Sequence, residues 1–499
     1  MNFFELFCLI IYLTALFSLF SYGMNCYFLM MYYRLNFPRA LRRNKKLKTL
    51  FYKRLPLKGW PRVTLQLPIF NERYVIERLV KSACQIDYPK DLLEIQVLDD
   101  STDETVEIAM AIIEKMKTQG FDIVHLHRKN RIGYKAGALK EGLKHAEGEF
   151  IGIFDADFVP SRDFLKETIP YFEDPRVGMV QTRWGHLNSD YSMLTRAQSI
   201  GIDGHFGVEQ AARSWGELFM NFNGTAGIWR KQAIEDAGSW QADTLTEDLD
   251  LSYRAQLKGW KLEFASKVVC PAELPVTINA FKSQQHRWAK GSIQTAKKNL
   301  WKLFKADIPL LVKIQAFLHL THYAVHPLML IVVLSSVPML YTHWFTAHIS
   351  YPLLVFTLFC LATFGPSNMY IYSQRILYND WKGRIKYLPF LMCLGTGIAV
   401  NNTKAVFEGL CGFKSGFVRT PKYGIEKRGD SWHGKRYSLP FNSLSIIELF
   451  FGLYSLTGLI LFLFFSKYFI SPFLFIYTVG FFYVFSLSIK HAYGIAKKN

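Results

Sequence analysis

Apolar and mixed segments divide this chain into three parts. An apolar segment covers residues 3–33, and four more lie in the C-terminal third at residues 324–340, 351–372, 446–465 and 468–489. Each is close to the ~20 residues that a helix needs to cross a bilayer. No segment between about residues 61 and 300 is both long and apolar enough to do so. The pattern predicts about five spanning helices around one soluble domain, with parts at residues 1–34, 35–300 and 301–499.

Basic residues next to the apolar segments predict how the chain is oriented. Nine Lys and Arg residues lie within residues 34–54, and the positive-inside rule places the domain after them in the cytoplasm. The loop at residues 343–348 has no Lys or Arg and is expected outside, whereas residues 375–436 are rich in both and are expected inside. Residues 301–319 carry interleaved lysines and residues 387–400 are short, so we interpret both stretches as amphipathic helices in the interface.

Within the soluble part, strand-like and helical patterns alternate. Short apolar runs lie at residues 63–67, 93–98, 123–126 and 150–154, with helical patterns between them at residues 73–82, 105–117 and 135–144. This order predicts a mostly parallel sheet with helices on both faces, which binds ligands at the carboxyl ends of its strands. No Gly-rich nucleotide motif follows any of these strands, which argues against dinucleotide and P-loop chemistry.

The composition limits the classes of partner. The formal net charge of +19 fits nucleic acid, an anionic lipid surface or an anionic substrate. Because the densest basic cluster stands directly after an apolar helix, we predict a lipid bilayer and no nucleic acid as partner. The seven cysteines show no CxxC spacing and predict neither a disulfide framework nor a zinc site.

Carboxylates follow two of the predicted strands. Asp99 and Asp100 end the second strand, and Asp155 and Asp157 form a D-x-D after the fourth. Such a pair can hold a hard divalent cation, which can bridge the two phosphates of a nucleotide-linked donor. The alternative for a single pair is a cap on the next helix. Two pairs in one strongly basic protein favour a metal and diphosphate site.

Two later segments contain residues suited to acid–base catalysis and to binding a sugar acceptor. Glu247 and Asp248 precede a helical pattern, so they either favour the helix start through its dipole or supply a general base for an attacking hydroxyl. Gln284, Arg287 and Trp288 combine an amide, a cation and an aromatic face, which is a set suited to a sugar acceptor. Spacing alone leaves a turn of an amphipathic helix equally open for this second segment.

The order of these motifs resembles the D, D-x-D, T-E-D and Q-(Q/R)-x-R-W signature of inverting family-two glycosyltransferases. The strings VLDDSTDET, FDADFVP, NGTAGIWR and LTEDLDLSYRAQLKGW are similar to the plant cellulose-synthase-like A and C groups of the processive cellulose-synthase superfamily. Those groups make mannan or glucomannan and the xyloglucan backbone. The resemblance implies a glycosyltransferase-A fold, a Rossmann-like α/β domain inserted between membrane helices. It also implies a membrane enzyme that extends a β-linked polysaccharide from the nucleotide-sugar GDP-mannose or UDP-glucose.

The resemblance implies roles for individual residues. Asp248 is expected to be the catalytic base, and Asp155 and Asp157 are expected to hold the donor diphosphate with Mg2+ or Mn2+. The donor-binding residues that it implies are Glu72, Asp99, Asp100, Lys135, Asp155, Thr420 and Lys422. Those implied at the acceptor or the diphosphate are Glu247, Gln284, Gln285, Arg287 and Trp288.

A segment of the basic C-terminal loop resembles the F-x-V-T-x-K gating loop of processive synthases. It reads FVRTPK from Phe417 to Lys422, with Arg419 where that pattern has Val. Within a gating region of about residues 405–440, the resemblance implies that Thr420 and Lys422 reach the donor phosphates from the cytoplasmic side.

Two alternatives stay open from the residues alone. A non-processive enzyme of the same superfamily, similar to a ceramide glucosyltransferase, would add one sugar to a lipid. A transporter or receptor with a soluble insert would carry charges along its spans, and the predicted spans contain almost none beyond Glu448. We expect a multi-pass membrane protein of the plasma membrane, the inner membrane or the Golgi. Its catalytic domain is expected in the cytoplasm.

Overall fold

The computed structural model describes residues 3–342, 350–413, 416–437 and 439–496, and it joins a sheet-based domain to a group of long apolar helices. The first helix, α1 (Phe3–Lys58), begins in the first apolar segment and continues without a break through the basic cluster. Its 56 residues correspond to about 84 Å of helix, more than twice the thickness of a bilayer core. Its distal part packs against the soluble domain, where Arg43 pairs with Glu263 and Arg54 with Glu173. The helix α1 therefore contains the first apolar segment and also packs against the sheet-based domain.

One seven-stranded sheet forms the centre of the soluble domain. Its strands are β1 (Val63–Ile69), β2 (Leu93–Asp99), β3 (Asp122–His127), β4 (Phe150–Ile153), β5 (Val177–His186), β6 (Gly227–Arg230) and β7 (Lys261–Ala272). They lie in the order β3-β2-β1-β4-β6-β5-β7, and all neighbours pair parallel except β6, which runs antiparallel to β4 and β5. The predicted mostly parallel sheet is confirmed, and the four predicted strands agree with β1 to β4 to within two residues.

Helices cover both faces of this sheet. They are α2 (Ile76–Cys84), α3 (Thr105–Lys117), α4 (Tyr134–His145), α5 (Phe164–Thr168), α6 (Met193–Gly204), α7 (Gln210–Trp215), α8 (Lys231–Asp236) and α9 (Glu247–Leu257). Because successive strand side chains point to opposite faces, β2 supplies Val97 to the core under α2 and α3, and Leu98 to the core under α4 and α8. Both faces of the sheet are therefore buried, and the carboxyl ends of β1, β2 and β4 meet at one edge.

The remaining helices form the apolar group. They are α10 (Ile278–Lys305), α11 (Leu310–Thr321), α12 (Val325–Leu340), α13 (Ser350–Leu377), α14 (Trp381–Arg384), α15 (Leu388–Gly397), α16 (Ala399–Cys411), α17 (Leu444–Phe464) and α18 (Ser471–Ala496). Among the described residues, five segments are long and apolar enough to cross a membrane: Phe3–Lys58, Leu310–Leu340, Leu353–Leu377, Leu444–Phe464 and Ser471–Ala492. The prediction of about five spans is confirmed in length and composition. The loop at residues 343–348, which was predicted on the outer side of the membrane, is not among the described residues.

The structure corrects one of the two stretches interpreted as interfacial helices. Residues 301–319 are not one helix, because α10 ends at Lys305 and α11 begins at Leu310 and runs on into the segment Leu310–Leu340. Pro309 stands directly before α11, and its missing backbone N–H disfavours a continuous helix through this point. Residues 387–400 contain α15, whose 10 residues are about half of what a span needs.

Candidate active site

A cavity lies at the edge of the sheet where β1, β2, β4 and β5 end. Its volume is about 170 Å³, and it is bordered by α9, by α10 and by the irregular segment at residues 416–437. Most of the predicted site residues line it: Glu72, Asp100, Lys135, Asp155, Asp157, Glu247, Asp248, Gln284, Arg287, Trp288, Thr420 and Lys422. The fold therefore brings residues from the first strand and from the C-terminal third into one enclosure.

Each carboxylate of the D-x-D motif is paired with a lysine. Lys135 Nζ, on the first turn of α4, lies 2.5 Å from Asp155 Oδ1 and 2.8 Å from the carbonyl oxygen of Gly224. Lys422 Nζ, from the irregular C-terminal segment, lies 2.5 Å from Asp157 Oδ2. This edge of the sheet thus presents two acids and two lysines, a set that can exchange partners with an anionic ligand.

Asp248 is the second residue of α9, and its side chain lines the cavity. Its Oδ1 accepts a hydrogen bond from the Leu249 N–H at 2.8 Å. Burial and the neighbouring Glu247 raise the pKa of the Asp248 carboxyl to about 7, against the lowering effect of Lys135. A carboxylate with a pKa near neutrality is suited to take a proton from a hydroxyl.

Gly224 leaves the space that Asp248 needs. Its φ is +81°, and a Cβ at this position would lie 2.9 Å from Asp248 Oδ2 and 3.4 Å from Lys135 Nζ. Any L side chain here would be strained by the backbone conformation and would collide with the Asp248 carboxylate. A side chain at position 224 would therefore displace the Asp248 carboxylate and crowd the Lys135 ammonium group.

Glu247 and Arg287 contribute further charge to the cavity. Burial raises the pKa of the Glu247 carboxyl, and Lys135 lowers it, with the net shift upward. Burial lowers the pKa of the Arg287 guanidinium, against the raising effect of Glu247 and Asp155. Arg287 also lies over the Phe417 ring, with its Cζ 4.6 Å from the ring centroid. This cation–π contact joins α10 to the irregular segment that covers the cavity.

The two acids at the end of β2 lie in different surroundings. Asp100 lines the cavity and accepts two hydrogen bonds from Arg128, at 2.7 Å from Nε and 2.6 Å from NH2. Asp99 is fully buried, where it accepts from the Ser101 N–H at 2.8 Å and lies 2.9 Å from His125 Nε2. Of the two predicted donor-binding acids, Asp100 is the one placed to meet a ligand.

Helical spacing separates the members of the motif on α10. Gln284, Arg287 and Trp288 line the cavity, because positions i, i+3 and i+4 share one face of a helix. Gln285 is not among the residues that line the cavity, since it is turned about 100° from Gln284 around the helix axis. The structure thus places three of the four predicted residues together and leaves Gln285 apart.

The segment that resembles a gating loop is fixed over the cavity by ion pairs and backbone contacts. Arg419 NH1 lies 2.7 Å from Glu72 Oε2, and burial raises the pKa of Glu72 to about 7 against the lowering effect of Arg419. Glu273 accepts hydrogen bonds from the backbone N–H groups of Tyr423 at 2.9 Å and Gly424 at 2.8 Å. The covering segment is therefore fastened on both sides of Lys422.

Sequence reasoning missed several residues of this cavity. Arg131 lies over Phe70, with its Cζ 3.4 Å from the ring centroid, and Trp184 and His186 line the cavity from the end of β5. Glu273 follows β7 and meets the covering segment only through the tertiary fold. The alternation along β5 places Trp184 and His186 on one face, and this period-two pattern is the signal that could have found them.

Metal-binding side chains occur in two places. Asp155 and Asp157 offer the hard carboxylate oxygens that Mg2+ and Mn2+ prefer, and both already face a cationic group. Among the described residues, Asp99, His125 and His127 also bring their ligand atoms within 4.8 Å of one another. These three side chains are not cavity-lining residues, so they are distinct from the site expected at the D-x-D motif.

Known proteins resemble the chain in its soluble domain and beyond. Residues 61–291 match the family described as Glycosyltransferase like family 2. The chain is similar to glucomannan 4-beta-mannosyltransferase 2 of Arabidopsis thaliana, at 45% identity over 252 residues, which are 50% of this chain and 47% of the relative. It is also similar to the probable glucomannan 4-beta-mannosyltransferase 4 of Oryza sativa subsp. japonica, at 35% identity over 370 residues, 70% of this chain and 63% of the relative.

The chain spans about half the length of the curated relatives it matches. A solved structure that it resembles is the mannosyltransferase PcManGT from Pyrobaculum calidifontis in complex with GDP-Man and Mn2+. That likeness has a sequence identity of 20% and a TM-score of 0.47, and it covers 79% of this chain and 100% of the other.

Proposed function

We propose, since residues 61–291 match the family described as Glycosyltransferase like family 2, that the chain transfers a hexose from a nucleotide-sugar to the end of a β-linked polysaccharide. The observation that carries the proposal is the cavity in which Asp248, with its raised pKa, lies together with the paired Lys135 and Asp155. A base and cationic groups in one enclosure are what a displacement at a sugar carbon with a diphosphate leaving group requires.

In the proposed reaction, a hydroxyl of the terminal acceptor sugar attacks the anomeric carbon of the donor in one step. Asp248 takes the hydroxyl proton as the new C–O bond forms. The bond from the anomeric carbon to the diphosphate oxygen breaks, and its electron pair stays on the diphosphate. A single displacement inverts the anomeric carbon, so an α-linked donor gives a β-linked product. Lys135 and Lys422 line the same cavity, so their ammonium groups would stabilise the negative charge of the leaving group.

Asp155 and Asp157 are proposed to hold a divalent ion, Mg2+ or Mn2+, whose chemistry when bound is to neutralise charge on the departing diphosphate. The carboxylates fit such an ion because both are oxygen donors that already accept a cation. The chain's own contribution is to present both acids at one strand end, next to Lys135 of α4.

The relatives support mannosyl transfer as the particular chemistry. They are named for glucomannan 4-beta-mannosyltransferase activity, so we infer GDP-mannose as the donor, with UDP-glucose as the alternative. The basic residues 34–54 after the first apolar segment favour a cytoplasmic domain. Because α10 carries Trp288 and runs from the cavity to the apolar helices, the polymer is proposed to leave between those helices.

Labelled donors test the proposal in membranes that contain the full chain. Incubation with labelled GDP-mannose or UDP-glucose should give a polymer that a linkage-specific β-mannanase or β-glucanase digests. Asp248→Asn should lower transfer by about 1,000-fold while nucleotide binding survives, because an amide cannot take the proton. The exposed Asp236→Asn on α8 is the matched control and should keep the wild-type rate.

Other outcomes distinguish the alternatives. Normal transfer by Asp248→Asn would refute the assignment of the base. A single labelled sugar on a lipid would favour the non-processive enzyme. No transfer from any nucleotide-sugar would leave the transporter or receptor as the better hypothesis.

A further inference from the structure

Two side chains at the end of β5 leave polar atoms unpaired beside the cavity. Trp184 and His186 both line it, on the same face of the strand. Among the described residues, neither the Trp184 Nε1–H nor the His186 Nδ1 has a hydrogen-bond partner, although both atoms are buried. Buried polar atoms are nearly always satisfied by protein, water or a ligand. One indole N–H and one imidazole nitrogen without a partner among the described residues therefore belong to two residues that line the same wall of the cavity.

Asp203 on α6 pairs with one ring nitrogen of His186, Nε2, and leaves the other, Nδ1, without a partner among the described residues. His186 Nε2 lies 2.9 Å from Asp203 Oδ1, and the two side chains are 3% and 0% exposed. Burial raises the pKa of the Asp203 carboxyl, but His186 and Gln374 lower it more, so its pKa lies below the usual range. An ionised carboxylate accepts hydrogen bonds and donates none. When the imidazole is neutral, its ring hydrogen therefore lies on Nε2 and Nδ1 keeps a lone pair.

Residues near the C-terminal end of α13 hold Asp203 in turn. Gln374 Nε2 donates to Asp203 Oδ2 at 2.9 Å, and the Tyr378 hydroxyl donates to Oδ1 at 3.2 Å. Arg384 on α14 donates to Gln374 Oε1 at 2.7 Å, which orients the amide. This chain of contacts fixes the imidazole plane, in the way that outer partners orient a functional histidine.

Trp184 adds an aromatic surface next to the motif on α10. Its ring centroid lies 6.5 Å from that of Trp288 and 5.0 Å from that of the buried Phe206. A pyranose offers an apolar C–H face to aromatic rings, and its hydroxyls both donate and accept hydrogen bonds. Trp184, His186 and Trp288 together therefore match a sugar, and the uncharged indole groups offer no charge for a phosphate.

We propose that Trp184 and His186 form the subsite that orients the terminal sugar of the acceptor, with the indole N–H donating to one hydroxyl and His186 Nδ1 accepting from another. This assignment rests on the proposed transferase function. It makes His186 a specificity-determining residue and Asp203 a positioning residue. The donor's hexose carries similar hydroxyls, so the experiment separates the two sources.

A matched pair of substitutions separates the Nδ1 contact from the Asp203 contact. The longer amide in His186→Gln reaches the place of Nε2 and still donates to Asp203, but it offers no acceptor at the place of Nδ1. The shorter amide in His186→Asn puts its oxygen near the place of Nδ1 instead. The full chain in membranes is assayed with short β-linked hexose oligosaccharides whose terminal sugar lacks one hydroxyl at a time.

The wild-type chain should discriminate about tenfold in kcat/KM against one of these monodeoxy acceptors, the effect of about one neutral hydrogen bond. His186→Gln should lose this discrimination and raise the KM of the intact acceptor by about tenfold, while the KM of the nucleotide-sugar changes by less than about twofold. His186→Asn should regain part of the discrimination. Trp184→Phe keeps an aromatic ring without the N–H and should lose discrimination against a different monodeoxy acceptor.

The proposed subsite is wrong if His186→Gln keeps the wild-type discrimination against every monodeoxy acceptor, or if the KM of the donor rises in place of that of the acceptor. Trp184→Phe gives an independent answer should His186→Gln fail to accumulate, because the unpaired indole N–H makes no hydrogen bond to the described residues. A wild-type chain that hydrolyses the donor but extends no oligosaccharide would refute the proposed function itself, and the subsite with it.

Discussion

The two halves of the cavity are built from opposite kinds of contact. The proposed donor half holds charges that are already paired within the protein, Lys135 with Asp155 and a second lysine with Asp157. The proposed acceptor half holds Trp184 and His186, in which the indole N–H and the imidazole Nδ1 are buried and have no hydrogen-bond partner among the described residues. An anionic ligand must therefore exchange ion pairs on one side, whereas a neutral sugar completes hydrogen bonds on the other.

The cost of leaving a group unpaired explains this difference. A buried neutral donor or acceptor without a partner costs about 1–3 kcal/mol. A buried charge without a partner costs more, because its hydration is lost in full. The chain can therefore leave the polar atoms of Trp184 and His186 unpaired, but it pairs its acids with lysines, which the diphosphate of the proposed nucleotide-sugar would engage.

The largest effect on this comparison is expected at Gly224, which lies beside both the proposed base Asp248 and Lys135 of the donor half. Gly224→Ala should lower kcat by about 100-fold, because a displacement of about 1 Å at a reacting group can cost that much. Gly120→Ala is the matched control, since Gly120 has a φ of +80° and nothing within 4 Å of an added Cβ. It should keep the wild-type rate, and equal losses in the two variants would show that backbone strain sets the effect.

Removing the Lys422 ammonium group should weaken the donor half and spare the acceptor half. Lys422→Met is expected to raise the donor KM by about tenfold to hundredfold, since a hydrogen bond to a charged group is worth about 1.5–3 kcal/mol. The acceptor KM should change by less than about twofold. Lys427→Met, at an exposed position of the same segment, is the control. An equal rise in both KM values would contradict the division into halves.

The pH dependence sharpens the assignment of the base. The pKa of Asp248 is raised to about 7, and the base must be deprotonated, so kcat/KM should fall about tenfold for each pH unit below that value. Glu247 raises the pKa of Asp248, so Glu247→Gln should move the acid limb of the profile to lower pH. A pH–rate profile measures both effects. A shift to higher pH in Glu247→Gln would contradict the proposed coupling.

The smallest effects are expected on α10, where the side chain of Gln284 lines the cavity and that of the neighbouring Gln285 does not. Gln284→Ala should lower kcat/KM by about five- to tenfold, the effect of one neutral hydrogen bond. Gln285→Ala should change it by less than about twofold, since Gln285 does not line the cavity. Steady-state kinetics of the two variants side by side checks the difference. Equal losses of kcat/KM in the two variants would mean that the substitutions act by destabilising the helix and not by removing a contact in the cavity.

Local patterns were enough for the regular parts of the fold. The helical pattern at residues 105–117 gave α3 with both ends correct, because its apolar residues follow one helical face. The stretch at residues 301–319 was predicted as one amphipathic helix, and this continuity is wrong, because one helix ends at Lys305 and α11 continues into an apolar segment. Its position at the interface stays a prediction. Interleaved charges report exposure, and they do not report where one helix ends and the next begins.

The order of elements, the number of long apolar helices and the residue types of the site were determined by the sequence itself, since these depend on local periodicity and short motifs. The tertiary structure alone decided that Asp100 rather than Asp99 meets the cavity. It also decided that Asp203 connects His186 to Gln374, which lies 171 positions further along the chain from Asp203. Such contacts depend on how α6 and α13 pack together, and no periodicity within either helix encodes them.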